Sequence, residues 1–302
     1  MVPCRGDSVL VTTTGPDGLA IVDKPQGLTS HDVVARMRRL ADTRKVGHAG
    51  TLDPMATGVL VIGIGRATRL LGYVSGQDKA YAATIRLGAS TVTDDAEGDV
   101  IATASTYGIG EDAIRAGLTI LTGDIEQVPS SVSAIKVAGR RAYSRVRAGE
   151  DVILAARPVR VSALDLLAVR HPTPDLMDLD VTVECSTGTY IRALARDLGD
   201  GLGVGGHLTA LRRTRVGGFS IEEARRLADL AQAPITHDLG GAVSRSFTRV
   251  TVDSETARAL SYGQRVRALG LPGVYGVFDP EGAVVALVED LDGQARPVVG
   301  FT

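Results

Sequence analysis

An α+β fold in two parts is what three features of this 302-residue sequence predict. Strand-like and helix-like stretches mix without a regular βαβ repeat. Beyond about Phe247 the texture changes to short strands separated by Gly and Pro turns. With 44% hydrophobic and 23% charged side chains, the chain can bury one sizeable core and a smaller second one. The two parts are expected at residues 18–246 and 247–302, after a loose tail rich in Thr, Gly and Asp at 1–17.

Taken in order, "GLAIVDKPQGLTS" reads as a short buried strand closed by a Pro and Gly turn, with Ser30 placed to cap a helix. That helix, "HDVVARMRRLAD", puts Val33, Val34, Met37 and Leu40 on one face and turns Arg36, Arg38 and Arg39 away from it. A glycine-rich loop around Asp53 follows and leads into the apolar strand "VLVIGIG". "KAYAATIRLG" alternates as a strand does, and "DLDVTVECS" repeats the pattern before the amphipathic helix "GTYIRALARDLGDGLG", whose Ile191, Leu194 and Leu198 are spaced to bury one side. The end of the chain, with "RVTV", "GVYGVF" and "AVVALVED" punctuated by "LPG", "DPEG" and "LDG", reads as a small β-barrel or sandwich module.

Composition narrows the function classes. Thirty-three Lys and Arg against thirty-five Asp and Glu leave a net charge of −2, which argues against a protein that coats nucleic acid non-specifically. Distribution matters more. Lys136, Arg140, Arg141, Arg145 and Arg147 occupy one segment without an acid, and "LRRTR" adds Arg212, Arg213 and Arg215; local basic patches of this kind can grip a polyanion. Two distant cysteines, Cys4 and Cys185, give neither a disulfide framework nor a metal-ligand spacing, so a reducing cytoplasm is expected. No apolar run approaches the ~18 residues that span a bilayer, and the start lacks the apolar core of a secretory signal. No membrane, metal or cofactor is expected.

Chemistry concentrates in "GHAGTLDPMATGVLVIGIG". Asp53 before Pro54 has a plain structural reading as a turn or helix N-cap pair. Its setting favours another. Gly47, Gly50 and Gly58 allow conformations and close approaches that a Cβ would forbid, which suits a flat ligand resting on main chain. Pro54 also biases Asp53 away from the α region, aiming its carboxylate out of the loop.

With "DKPQGLTSHDVV", "KVGHAGTLDPMATGVLVIGIGRATR", "KAYAATIRLG", "VPSSVSAIKVAGRRAY" and "CSTGTYIRALARDLG" in this order, the sequence resembles the TruB-type tRNA pseudouridine synthases from about Gly18 to Phe219. The tail beyond Phe247 resembles, less strongly, the PUA-like RNA-binding module that closes many such chains. The resemblance implies the pseudouridine synthase fold, a mixed and mainly antiparallel sheet flanked by helices and loops, with a β-barrel-like module after it. It implies the isomerisation of the uridine at position 55 in the T loop of tRNA to pseudouridine, in the cytoplasm, without cofactor or obligatory protein partner and by a monomer.

The resemblance also assigns roles. Asp53 becomes the catalytic aspartate, an anion suited to the oxocarbenium character a sugar gains as its N1–C1′ bond loosens. Arg192, otherwise a helix-surface arginine, falls where the family pairs a guanidinium with that acid. Tyr81, otherwise a half-buried strand tyrosine, is set against the target uracil, where a ring can stack and a phenol can move the C5 proton. His48 is to fill the gap left when the uridine is flipped out of its stack. Tyr190, Lys24, Leu211 and Asp95 complete the substrate-contacting set. Lys24 is expected to serve structure rather than chemistry, and Asp94 competes with Asp95 for its place. The basic segment 127–152 matches an RNA-gripping insertion, its plain alternative being a solvated hairpin, and its "AYSRVRAG" departs from the family's Ala-Arg pair before the Gly. Two rivals stand beside this reading: an RNA-binding or tRNA-folding protein with vestigial catalysis, and an RNA-guided pseudouridine synthase.

Overall fold

The structure, a computed structural model, describes residues 16–130, 136, 137, 140, 141 and 155–301. In chain order the strands of the first part are β1 (Gly18–Lys24), β2 (Val46–Ala49), β3 (Thr57–Ile64), β4 (Lys79–Leu87), β5 (Ala89–Thr91), β6 (Val100–Thr103), β7 (Gly123–Gln127), β8 (Lys136–Val137), β9 (Arg140–Arg141), β10 (Arg157–Thr173), β11 (Leu176–Cys185), β12 (Gly206–Val216), β13 (Phe219–Ser220) and β14 (His237–Asp238). Ten of them form one sheet in the order β14-β1-β3-β12-β4-β11-β10-β7, with β2 on β3 and β13 on β12. Its strand pairs are antiparallel except β12 beside β3. β5 with β6 and β8 with β9 are two-stranded ribbons.

The alternation in β4 does what its pattern predicts: Lys79, Tyr81, Ala83, Ile85 and Leu87 are buried and their neighbours half-buried. The face they point to is covered by α1 (Ser30–Leu40) and by α4 (Ile191–Gly201), which follows α2 (Leu71–Ser75) and α3 (Glu111–Ile120) in the chain. Val33, Val34 and Met37 of α1 and Leu194 and Leu198 of α4 share one core with Ala20, Val22, Leu60, Ile62, Tyr81 and Ile85 of the sheet. The cap of α1 differs from expectation. Thr29, not Ser30, is the N-cap, because Asp32 stands three residues on and closes a reciprocal capping box with it. Ser30 is released to exchange two hydrogen bonds with the main chain of Leu52.

The other face of the sheet meets the C-terminal part. After α5 (Leu239–Ser246) come β15 (Arg249–Thr251), α6 (Ser254–Ser261), β16 (Val266–Arg267), β17 (Val274–Phe278), β18 (Val284–Leu291) and β19 (Gln294–Gly300), whose strands order as β15-β17-β18-β19-β16. Tyr275, Val277 and Val288 pack on Ala257 and Leu260 of α6 and give the module a core of its own. Its opposite side is equally apolar: Phe278, Leu287 and Phe301 join Leu19, Ile21, Val59, Val61 and Phe219 in a cluster common to both parts. Arg66 and Arg69 tie the same seam by donating to the carbonyls of Phe301 and Gly300. Asp17, placed by sequence in the loose tail, is held by Arg66 at 2.6 Å; residues 1–15 of that tail lie outside the described residues.

One basic patch is not a free surface. Arg212 forms a two-pronged pair with Asp23, at 2.8 and 3.0 Å, Arg215 pairs with Glu184, and Arg213 is only 1% exposed. Adjacent residues on a strand point to opposite faces, so a run of arginines on a central strand must send some of its charge inward.

Candidate active site

The loop between β2 and β3 carries Asp53, and its main chain is tied at every carbonyl from Gly50 to Pro54. Arg213 donates to Gly50 and Thr51 (3.0 and 3.4 Å), Ser30 to Leu52 (3.2 Å), and the Ala56 amide to Asp53 (3.1 Å). The Gly27 amide (2.8 Å) and the Lys24 ammonium (3.4 Å) share Pro54. Two glycines make this course possible. Gly50 and Gly58 have φ of +81° and +94°, and a Cβ on Gly58 would sit 2.2 Å from the Arg213 carbonyl oxygen.

Lys24 is fully buried, with its ammonium also on the carbonyls of Pro25 and Leu28 at 3.0 and 2.6 Å. Burial pulls this amine down to about 8, against the opposing pull of the Asp53 charge. Its bonds are all to main chain.

α4 delivers Arg192 to Asp53. Its apolar side fixes the helix in the core, and its N-cap residue, Tyr190, is clasped by the buried Gln127: the Tyr190 amide donates to Gln127 Oε1 (2.7 Å) and Gln127 Nε2 donates to the Tyr190 carbonyl (3.0 Å). From there Arg192 Nη2 lies 3.2 Å from Asp53 Oδ2, while Nη1 lies 3.1 Å from Asp95 Oδ2 and 2.9 Å from the Thr93 carbonyl. The side chains of Arg192 and Asp95 are 8% and 3% exposed, that of Asp53 39%. A buried cation thus holds one edge of a carboxylate whose remainder faces outward. Asp95 is fixed from behind by Thr93 Oγ1 (2.6 Å) and the Glu97 amide (3.0 Å). Asp94 turns instead to Arg196 at 3.3 Å, and burial raises its carboxyl, so the two neighbours serve different arginines.

Tyr81 faces the same side from β4, paired across the sheet with Arg213. Burial raises its phenol, and the charge of the Arg213 guanidinium across the sheet opposes that rise. Leu211, two residues before Arg213, is 9% exposed and belongs to the core that includes Tyr81. His48, on β2, is half-buried with its ring edge-on to His31 (centroids 5.5 Å apart); burial, then His31 and Arg213, lower its imidazole below the ordinary histidine value and favour the neutral ring.

Arg192 therefore touches both Asp53 and Asp95; Lys24 bonds to the same loop at Pro54; Tyr81 lies across the sheet from Arg213, which holds that loop; His48 precedes the loop in the chain, and Tyr190 precedes Arg192. For the basic segment, the backbones of Lys136, Arg140 and Arg141 form the β8–β9 ribbon, their side chains lie outside the described residues, and so do Arg145 and Arg147. Sequence reasoning missed Ser30's second role, the Gln127 clasp and Arg213. Only Arg213 left a signal, through the strand parity of "LRRTR". Among the described residues no group of three His, Cys, Asp or Glu could hold a metal, and no helix is long and apolar enough to cross a membrane. An outward carboxylate on a rigid loop, a guanidinium behind it and an aromatic ring beside it can stabilise a developing cation on a sugar or bond to it.

Residues 38–191 match the family model described as TruB family pseudouridylate synthase (N terminal domain), 192–246 the tRNA pseudouridylate synthase B C-terminal domain, and 247–302 tRNA Pseudouridine synthase II, C terminal. The chain is 57% identical over 294 residues to tRNA pseudouridine synthase B of Arthrobacter sp. (strain FB24), covering 94% of this chain and 96% of that one. It is 56% identical over 282 residues to the protein of the same name from Nocardia farcinica (strain IFM 10152), covering 93% and 92%. Among solved structures, a chain of a Cbf5-Nop10-Gar1 complex superposes with a TM-score of 0.69 at 26% identity, covering 91% of this chain and 78% of that chain. A chain of an H/ACA RNP bound to a substrate RNA containing 2′-deoxyuridine shares the fold at TM-score 0.69 and 24% identity, covering 94% and 84%.

Proposed function

The chain belongs to the TruB family of pseudouridine synthases, and from that premise we propose that it isomerises the uridine at position 55 in the T loop of tRNA to pseudouridine. It is an isomerase that forms pseudouridine in tRNA, as its relatives named tRNA pseudouridine synthase B are. The T-loop position, the cytoplasmic setting and the residue roles are the reading proposed here.

In that reading the uridine leaves its stack and enters beside Asp53, and His48 takes the vacated place. The N1–C1′ bond breaks, the uracil turns, and C5 bonds to C1′. The C5 proton then leaves and N1 takes one up, so the atoms are conserved and no electrons are exchanged with a cofactor. Asp53 faces the sugar as the charge at C1′ develops. Arg192 and Asp95 hold its bearing, Tyr81 offers the uracil a ring and a phenol, and Tyr190, Leu211 and Lys24 close the pocket around them. The basic segment 127–152 and the C-terminal module 247–302 take RNA backbone.

The observation that carries this reading is the half-exposed Asp53 carboxylate, held on one edge by a buried guanidinium. The RNA-guided alternative is weakened by relatives that match more than nine-tenths of the chain under the name of a tRNA enzyme. The test is to incubate the purified protein alone with unmodified tRNA and map pseudouridine by chemical labelling, beside Asp53→Asn. Wild type is expected to modify the T loop. The variant is expected to lose turnover while binding tRNA within a few-fold, because affinity rests mainly on phosphate contacts. No modification in the T loop would overturn the proposed position, and a substantially active Asp53→Asn would overturn the role of Asp53.

A further inference from the structure

Arg213 is 1% exposed, and its described partners are carbonyls and a phenol: Nε donates to Val59 (2.7 Å), Nη2 to Gly50 (3.0 Å) and Nη1 to Thr51 (3.4 Å), with the Tyr81 phenol beside the same guanidinium. A carboxylate does not figure among these partners. Burying a cation without a counter-ion is among the least favourable arrangements a core can hold, and a packed apolar side chain would fill the space at lower cost. Its position is singular as well. Arg213 bridges the loop that carries Asp53 and the strand that carries Tyr81, both of which precede it by more than a hundred residues in the chain. Its charge is felt at His48, Lys24 and Lys79 too.

We propose that Arg213 is a positioning residue for the isomerisation, acting on two groups at once: its fork fixes the Gly50–Thr51 carbonyls and hence the aim of Asp53, and its remaining N–H groups orient the phenol of Tyr81, its neighbour across the sheet. The phenol accepts from the guanidinium, so its own hydrogen turns outward, away from the sheet and toward the place assigned to the uracil. The planar fork is essential to the first task, since three carbonyls in different directions are met by one rigid donor plane. Charge is essential to the second. This inference rests on the reading that the chain forms pseudouridine at Asp53 with Tyr81 against the base.

The test compares wild type, Arg213→Gln, Arg213→Lys, Tyr81→Phe and the double variant Arg213→Gln/Tyr81→Phe for tRNA affinity, single-turnover rate at saturating tRNA and thermal melting. A misaimed carboxylate costs about 10²-fold in rate, so Arg213→Gln is expected to fall by roughly that factor with affinity within a few-fold. Arg213→Lys should recover part of the loss through its charge. The double variant should be slower than either single but by less than the product of their losses, since part of the Arg213 effect runs through the phenol. If Arg213→Gln has no cooperative melt, the lysine variant and its double with Tyr81→Phe carry the same comparison. A wild-type rate in Arg213→Gln, a loss confined to affinity, or losses that simply multiply would each overturn the proposal. A wild type that forms no pseudouridine would instead bring down the functional reading beneath it.

Discussion

Replacing Arg192 by lysine separates the two jobs of that guanidinium. Nη2 serves Asp53 at 3.2 Å while Nη1 serves Asp95 at 3.1 Å and the Thr93 carbonyl at 2.9 Å. A lysine ammonium is a single point with a shorter reach, so it cannot span both carboxylates. Asp95 is 3% exposed and Asp53 39%, so the ammonium gains most by staying with the buried acid, which cannot turn to water. Asp53 then loses its anchor. One charge-assisted hydrogen bond is worth about 1.5–3 kcal/mol, and at ~1.4 kcal/mol per tenfold that is a fall of roughly 10- to 150-fold in single-turnover rate at saturating tRNA. Stability should hardly move, because Asp95 keeps Thr93 Oγ1, the Glu97 amide and a cation. Arg192→Ala should differ in kind: it leaves Asp95 buried without its cation, which costs about 3–5 kcal/mol of stability. Rapid-quench pseudouridine assays and calorimetry on both variants check this. A lysine variant at the wild-type rate would refute the idea that the ion pair aims Asp53, and a lysine variant as unstable as alanine would refute the division of labour.

Tyr81→Phe should bind tRNA normally and release pseudouridine 10²–10⁴-fold more slowly, the usual worth of acid–base help, with Tyr81→Ala slower still; equal single-turnover rates for tyrosine and phenylalanine would leave only stacking. Ending the chain at Ser246 withdraws Phe278, Leu287 and Phe301 from the shared cluster. At about 1.5–3 kcal/mol each that is about 5–9 kcal/mol of a total near 5–15, so calorimetry should show a strongly lowered or absent transition. A melt within a few degrees of full length would restore the independent module. His48 has its imidazole lowered by burial, so as pH falls through about 6.5 the unfolded chain takes up a proton that the folded one refuses, and stability declines. His48→Asn should show a shallower decline in denaturant melts between about pH 7 and 5.5, and identical slopes would exclude this residue as the source.

Elements were legible where one face is buried and the other wet. Lys79–Leu87 and Ile191–Gly201 show that contrast in their letters, because period and burial coincide there. The long strand Arg157–Thr173 escaped notice because much of its length is exposed and its pairing has irregular register. Ser30 was mistaken for the cap since Thr29 and Ser30 both carry a hydroxyl, and only Asp32 three residues after Thr29 decides between them. The acid and its arginine were found through their motifs. What fixes them, the Gln127 clasp, the tied carbonyls and the buried Arg213, depends on contacts between residues far apart in the chain, which no local pattern encodes. The apolar seam between the two parts was illegible for a related reason: turns mark where strands end, not which side of the finished sheet stays dry.

β12 lies between β3 and β4 although it follows both by more than a hundred residues. On the ribosome, then, the loop bearing Asp53 and the strand bearing Tyr81 are made early but stay apart, each lacking the neighbour it will eventually share. Only when residues 206–216 emerge and slip into the gap does the sheet become continuous and bring Arg213 beneath both. Such late, long-range pairing is slow and leaves sheet edges open in the meantime. The arrangement around the acid therefore waits on residues 206–216, and a nascent chain stopped short of Gly206 holds the acid and the tyrosine without the strand that joins them.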